Sequence, residues 1–189
     1  MGYVSEIRKY VGHRPIIHAA ASVIVENSRG QILLQKRADN DTWSYCGGAV
    51  ELFEKVEDTA ARELLEETGL TAESLELFGV FSGAEQHYTY PNGDEVSTID
   101  IVYICRKYSG EMKMQPEEVT ELKFFDIDCI PEDICPPVRE PIKKYIEYTG
   151  EEQNVTVYWD VEEYLPAGTY HVYIFADGTM IGQQAFSMK

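Results

Sequence analysis

The chain has 189 residues, 44% of them hydrophobic, enough for one well-buried domain and a small appendage. Its 16 Lys and Arg against 33 Asp and Glu leave a formal net charge of −17. That balance excludes partners held by a basic patch, namely nucleic acid and anionic membrane surfaces. A polyanionic small substrate is compatible only if cations line its site, which points to a bound metal.

Taken in chain order, the first fifteen residues, MGYVSEIRKYVGHRP, hold no apolar core of signal-peptide length. No later run approaches the roughly 18 apolar residues of a membrane span. A cytoplasmic location is therefore expected. Residues 3–11 predict a short helix ended by Gly12 and Pro15. His18 to Glu26 and Gln31 to Arg37 are apolar runs separated by the turn-forming "NSRG", and they predict a hairpin. A loop carrying Trp43 leads to Gly47 and Gly48.

The spacing then predicts a helix from about Lys55 to Thr68, stopped by Gly69, with Val56, Ala60, Ala61, Leu64 and Leu65 facing inward. Strands follow at 74–82, 85–90 and 95–107, with "YPNGDE" as the turn before the last. Phe124 to Ile127 predicts another strand, and Val138 to Tyr148 a final helix. Beyond it lies a β-rich tail. Val155, Val157, Trp159 and Val161 alternate, as do Tyr170, Val172 and Ile174, and Asp177-Gly178 precedes "TMIGQQAF" with a hairpin signal. The four cysteines, Cys46, Cys105, Cys129 and Cys135, form no metal-binding pair and read as reduced thiols, mostly buried. Strands mixed with two or three helices give an α/β or α+β sandwich.

The chemistry concentrates in "RELLEETG", residues 62–69. A helix sets Glu63 on one face with Glu66 and Glu67, and like charges at that spacing repel. Arg62 reaches Glu66 at i,i+4, but one cation does not neutralise three anions. Either solvent tolerates the cluster or a metal ion occupies it.

Read outward, Gly48 to Leu70 is GAVELFEKVEDTAARELLEETGL. This segment resembles the Nudix signature, G-x5-E-x7-R-E-U-x-E-E-x-G-U with U aliphatic. It matches every fixed position: Gly48, Glu54, Arg62, Glu63, Leu64, Glu66, Glu67, Gly69 and Leu70. At average residue usage the chance of that match is about 10⁻⁹ per start site, so coincidence does not produce it. The likeness extends over roughly residues 16–149, leaving 1–15 as an N-terminal helical segment and 150–189 as a C-terminal β-rich extension.

The resemblance implies the Nudix fold, an α/β/α sandwich around a mixed sheet, here with a three-stranded appendage. It implies hydrolysis, with magnesium or manganese, of a nucleoside diphosphate linked to another moiety. By the same resemblance Glu63, Glu66 and Glu67 hold the metal, with Glu54 and the Gly47 carbonyl completing the site. Arg62 orients the neighbouring glutamates and Glu63 is a candidate base. Glu118, with Glu117 beside it, sits where other family members carry a base on a later loop. Arg37, Trp43 and Tyr88 are candidate substrate contacts, and Phe81, His87 and Tyr90 further aromatics that could stack a base. Two departures from the commonest pattern are Cys46, where a proline often stands, and Phe53, where a glycine often precedes Glu54. A bulky Phe53 is expected to resist a positive φ. The alternatives on this fold are a non-catalytic nucleotide sensor and an isoprenyl-diphosphate isomerase. The expected partner is a small nucleoside diphosphate derivative, with no nucleic acid and no membrane, and the tail is expected to pack on the Nudix domain or on a second subunit, with a homodimer contact favoured.

Overall fold

A computed structural model describes residues 2–150, 167–176 and 179–188. The chain divides into two compact units, Met1–Glu151 and Glu152–Lys189. In the first unit, helix α1 spans Tyr3–Val11 and ends at Gly12, whose φ of 60° is open to glycine without strain. Strands β1 (Ile16–Val25), β2 (Ile32–Arg37), β3 (Trp43–Ser44) and β4 (Cys46–Ala49) precede helix α2 (Val56–Thr68). Next come β5 (Leu70–Phe81), β6 (His87–Thr89), β7 (Glu95–Gly110) and β8 (Val119–Phe125), and helix α3 (Arg139–Gly150) closes the unit.

One sheet runs β4-β1-β7-β5, with β6 added against β7. It is mixed, because β1 and β7 are parallel while the other pairs are antiparallel. The second sheet, β3-β2-β8, is antiparallel. Alternate residues of β1 feed two cores. Ile24 packs with Leu34, Val102, Ile142 and Tyr145, while Ala21, Val23 and Val25 pack with Ala60, Leu64 and Cys105. A strand covered on both faces reads as one apolar run rather than an alternating one.

The hairpin expected between the first two strands is only partly formed. The Asn27–Gly30 turn is present, with the Gly30 N–H donating to the Asn27 carbonyl at 3.0 Å. Beyond one bridge, Glu26 to Ile32, the strands part into different sheets. Both edges of β1 are already taken by β4 and β7, so β2 has no edge to pair with there. The segment around Trp43 and Gly47 was expected as a loop, and it contains the short strands β3 and β4. Glycine is depleted in strands, which hides β4 from a propensity reading.

In α2 the buried stripe is Thr59, Ala60, Leu64, Glu67 and Thr68. Leu65, expected to face inward, is 49% exposed. Ala60, Leu64, Glu67 and Thr68 follow i, i+4, i+7, i+8, and Leu65 lies about 100° round the helix from Leu64. The stripe is therefore rotated toward Glu67. Gly69, at φ 73°, donates its N–H to the Leu65 carbonyl at 2.9 Å and ends the helix as expected.

In the second unit, β9 (Gly168–Ala176) and β10 (Thr179–Met188) pair antiparallel, with Ala176 opposite Thr179. The strand expected at Val155–Val161, the first of the three in the appendage, lies outside the described residues, as does the turn at Asp177-Gly178.

Candidate active site

The site is assembled where the β4–α2 loop meets α2. The Arg62 guanidinium stands between carboxylates. Its Nε donates to Glu54 Oε1 at 2.8 Å and its Nη2 to Glu54 Oε2 at 3.0 Å, a bidentate fork. Its Nη1 donates to Glu63 Oε1 at 2.6 Å and to Glu66 Oε2 at 3.1 Å. Glu54 also accepts from Thr59 Oγ1 at 2.7 Å. The Arg62 contact, before any other, holds the Glu54 carboxyl down at about 2.

Glu67 of the same helix is 5% exposed, with its Oε2 accepting the Gly47 N–H at 2.9 Å. Burial pushes its carboxyl up to about 8, while the Gln35 amide and the Gly47 N–H pull the other way. Burial likewise raises Glu63, against the pull of Arg62. Glu118, just before β8, is close enough for its charge to push up both Glu63 and Glu67. Glu63, Glu66, Glu67, Glu54, Gly47 and Glu118 are thus brought into one neighbourhood. A Cβ at Gly48 would meet the Glu63 carboxylate, which would have to shift, so glycine lets β4 pass close to this side chain.

Among the described residues no three acidic, His or Cys side chains stand ready as a cation cage, because Arg62 separates Glu54, Glu63 and Glu66. The donor set nevertheless fits a hard divalent cation. It is all carboxylate and carbonyl oxygen, and Glu67 is a buried acid with no cationic partner among the described residues.

Beside Gly47 and Gly48 of β4 opens a cleft of about 310 Å³. Tyr88 lines it, accepting from Asn40 Nδ2 at 2.8 Å and standing edge-on to Tyr90, 5.0 Å between centroids. Arg37 lines it too, but its guanidinium is spent on a bidentate pair with Asp39 at 2.9 and 2.7 Å. Trp43 is not in the cleft wall. It is 7% exposed and packs edge-on against Phe125 in the core, so its ring is buried and cannot stack a ligand. Phe81 packs beside Phe78, and His87 pairs with Glu95 at 2.7 Å on the surface.

Sequence reasoning missed several cleft residues. Asp100 is buried, accepting from Ser22 Oγ and Tyr45 OH at 2.8 Å each, and burial raises its carboxyl. A lone acid inside the apolar run of β7 was the available signal. Gln86 is 1% exposed, with its Nε2 donating to the Pro137 carbonyl at 2.6 Å. Val4 and Arg8 of α1 also line the cleft, and nothing in a short amphipathic helix announces that.

Comparison with known proteins places these features in a family. The model described as the NUDIX domain matches residues 16–148. A second, described as a domain of unknown function (DUF8428), matches residues 141–189. An ADP-ribose pyrophosphatase of Methanocaldococcus jannaschii is 35% identical over 131 residues, 67% of this chain and 71% of that one. An NAD-capped RNA hydrolase NudC of Actinobacillus succinogenes is 28% identical over 125 residues, 62% of this chain but only 44% of that one. The crystal structure of a MutT NUDIX hydrolase from Burkholderia pseudomallei, 26% identical, superposes with a TM-score of 0.58 over 68% of this chain and 97% of that one. The chain belongs to the Nudix hydrolases, enzymes that act on pyrophosphate bonds.

Proposed function

We propose that this chain is a magnesium- or manganese-dependent pyrophosphohydrolase of a nucleoside diphosphate joined to a second moiety. ADP-ribose is the first substrate to test, given the named activity of the archaeal relative. The observation that carries the reading is the pairing of one arginine with three carboxylates beside a fourth, Glu67, buried without a cation.

Glu63, Glu66 and Glu67, with Glu54 and the Gly47 carbonyl, are the residues that would hold the metal. When bound, such an ion offsets the diphosphate charge and polarises the phosphorus that is attacked. Arg62 orients the neighbouring carboxylates. Glu63 takes a proton from the attacking water, and its raised carboxyl lies nearer to neutrality than an ordinary glutamate. Glu118 is the second candidate for that proton. Water oxygen bonds to phosphorus, the bond to the bridging oxygen breaks, and two phosphate monoesters result. With ADP-ribose these are AMP and ribose 5-phosphate.

The −17 charge favours a small substrate over a polynucleotide. Among the described residues no helix is long and apolar enough to cross a membrane. The test is a magnesium-dependent screen across ADP-ribose, nucleotide sugars, dinucleoside polyphosphates and oxidised nucleoside triphosphates, scored by release of a nucleoside monophosphate. Release with at least one of them is expected. Turnover of none, or turnover unaffected by a chelator, overturns the reading.

A further inference from the structure

Helix α1 lies outside the matched family region, which begins at residue 16. It has no buried residue, and nine residues are too few for a helix to persist in water by itself. Polar anchors at its two ends hold it. At the start, the Tyr3 N–H donates to Glu51 Oε2 at 2.8 Å, and Glu51 belongs to the loop whose next acid, Glu54, is gripped by Arg62. Near the end, Arg8 donates through Nη2 to the Glu95 carbonyl at 2.7 Å and through Nη1 to the carbonyls of Gly12 and Arg14 at 3.0 and 2.6 Å. Arg8 Nε lies 3.6 Å from Asp94, itself bonded to His13 at 2.8 Å.

Arg8 and Asp94 of the second anchor line the cleft, and Glu51 of the first follows two residues after Ala49, which also lines it. Gly48 and Ala49 line it at the catalytic-loop end, Tyr88 and Tyr90 line it near the β6–β7 turn, and Val4 and Arg8 contribute the side chains of α1. A volume of about 310 Å³ is at the low end for ligand pockets, enough for a nucleoside and too small for a whole dinucleotide.

We propose that α1 is a wall of a nucleoside subsite in this cleft, with Val4 setting the size of base admitted and Arg8 latching the wall in place. The proposal rests on the nucleotide pyrophosphohydrolase reading above. Val4 is half-buried on the cleft side of α1, so a larger side chain there intrudes on the ligand without entering a packed core. Pyrophosphate, which has no nucleoside, should be indifferent to it.

The experiment measures affinity for AMP and for inorganic pyrophosphate by calorimetry, with magnesium, on the full chain. Val4→Trp is expected to weaken AMP by about 10-fold or more while pyrophosphate changes by less than about 2-fold. Ser5→Trp, on the exposed side of the same helix, is expected to change neither. Val4→Ala cannot obstruct the cleft and serves if the tryptophan variant misfolds. It is expected to bind N6-benzyl-AMP several-fold more tightly than the wild type does. Unchanged AMP affinity in Val4→Trp, or equal weakening of AMP and pyrophosphate, overturns the wall. A wild-type chain that binds neither ligand and hydrolyses none of the screened substrates overturns the pyrophosphohydrolase reading, and the wall with it.

Discussion

At Glu67 the fold buries a carboxylate beside a peptide N–H and, among the described residues, gives it no cation. The consequence for stability has a definite sign. Without metal, Glu67 in the folded chain keeps its proton up to about pH 8, while in the unfolded chain it loses it near its ordinary value of 4.5. The unfolded state therefore binds fewer protons between those limits, and stability falls as pH rises through that window. Glu67→Gln has no such proton to lose. In chelator-treated protein it should be more stable than the wild type at pH 8 by a few kcal/mol and nearly equal to it at pH 4.5. Urea melts at the two pH values check this, and a constant difference would contradict it.

Activity should move the other way. Glu66→Gln and Glu67→Gln should each lower kcat by about 10²-fold or more with the fold intact, because an amide keeps the shape and loses the charge. Near-wild-type turnover of either at saturating magnesium would remove it from the metal set. Glu63 and Glu118 form a discriminating pair, since a general base contributes about 10²–10⁴-fold. Glu63→Gln should lose more than Glu118→Gln, measured at metal saturation, and the reverse order would transfer the role to Glu118.

Among the elements, the loop entering α2 carries the conformation least expected of its residue. Phe53 was expected to resist a positive φ, yet it sits at 67° with its ring fully exposed. The left-handed region costs a non-glycine residue about 1–2 kcal/mol, and here no packing of the ring offsets it. Phe53→Gly should therefore raise stability by about 1 kcal/mol in denaturant titration. A loss would mean that the ring makes a contact in solution.

The same stretch shows what a sequence can and cannot disclose. Gly48, Arg62 and the glutamates carry local chemistry at fixed spacing, so their convergence was legible. The rotation of α2 was not, because Leu65 and Glu67 exchange the places hydrophobicity assigns them once Glu67 bonds to Gly47. The parting of β1 from β2 was hidden too, since it depends on β7, some seventy residues further on, occupying an edge of β1. Trp43 was offered as a base-stacking ring and Asp100 was overlooked for one reason: exposure is decided by which strands become neighbours.

At the scale of the whole molecule, β9 and β10 pose an assembly question. They are the described strands of the C-terminal extension, and a β unit of this size can hardly bury its apolar face by itself. The extension from residue 150 should therefore be covered by further surface, and a second copy of the chain is the expected source. Light scattering should find the full chain dimeric and a chain ending at Gly150 monomeric. Equal oligomeric states would show that the extension is not an assembly element.

The most direct measurement for the central claim is hydrolysis of ADP-ribose in heavy-oxygen water, followed by phosphorus NMR with and without a chelator. Attack at phosphorus predicts one heavy oxygen in a phosphate of one product, formed only when magnesium is free to bind. Products of ADP and free ribose with no heavy oxygen in any phosphate, or hydrolysis that persists in full under chelation, would contradict the account.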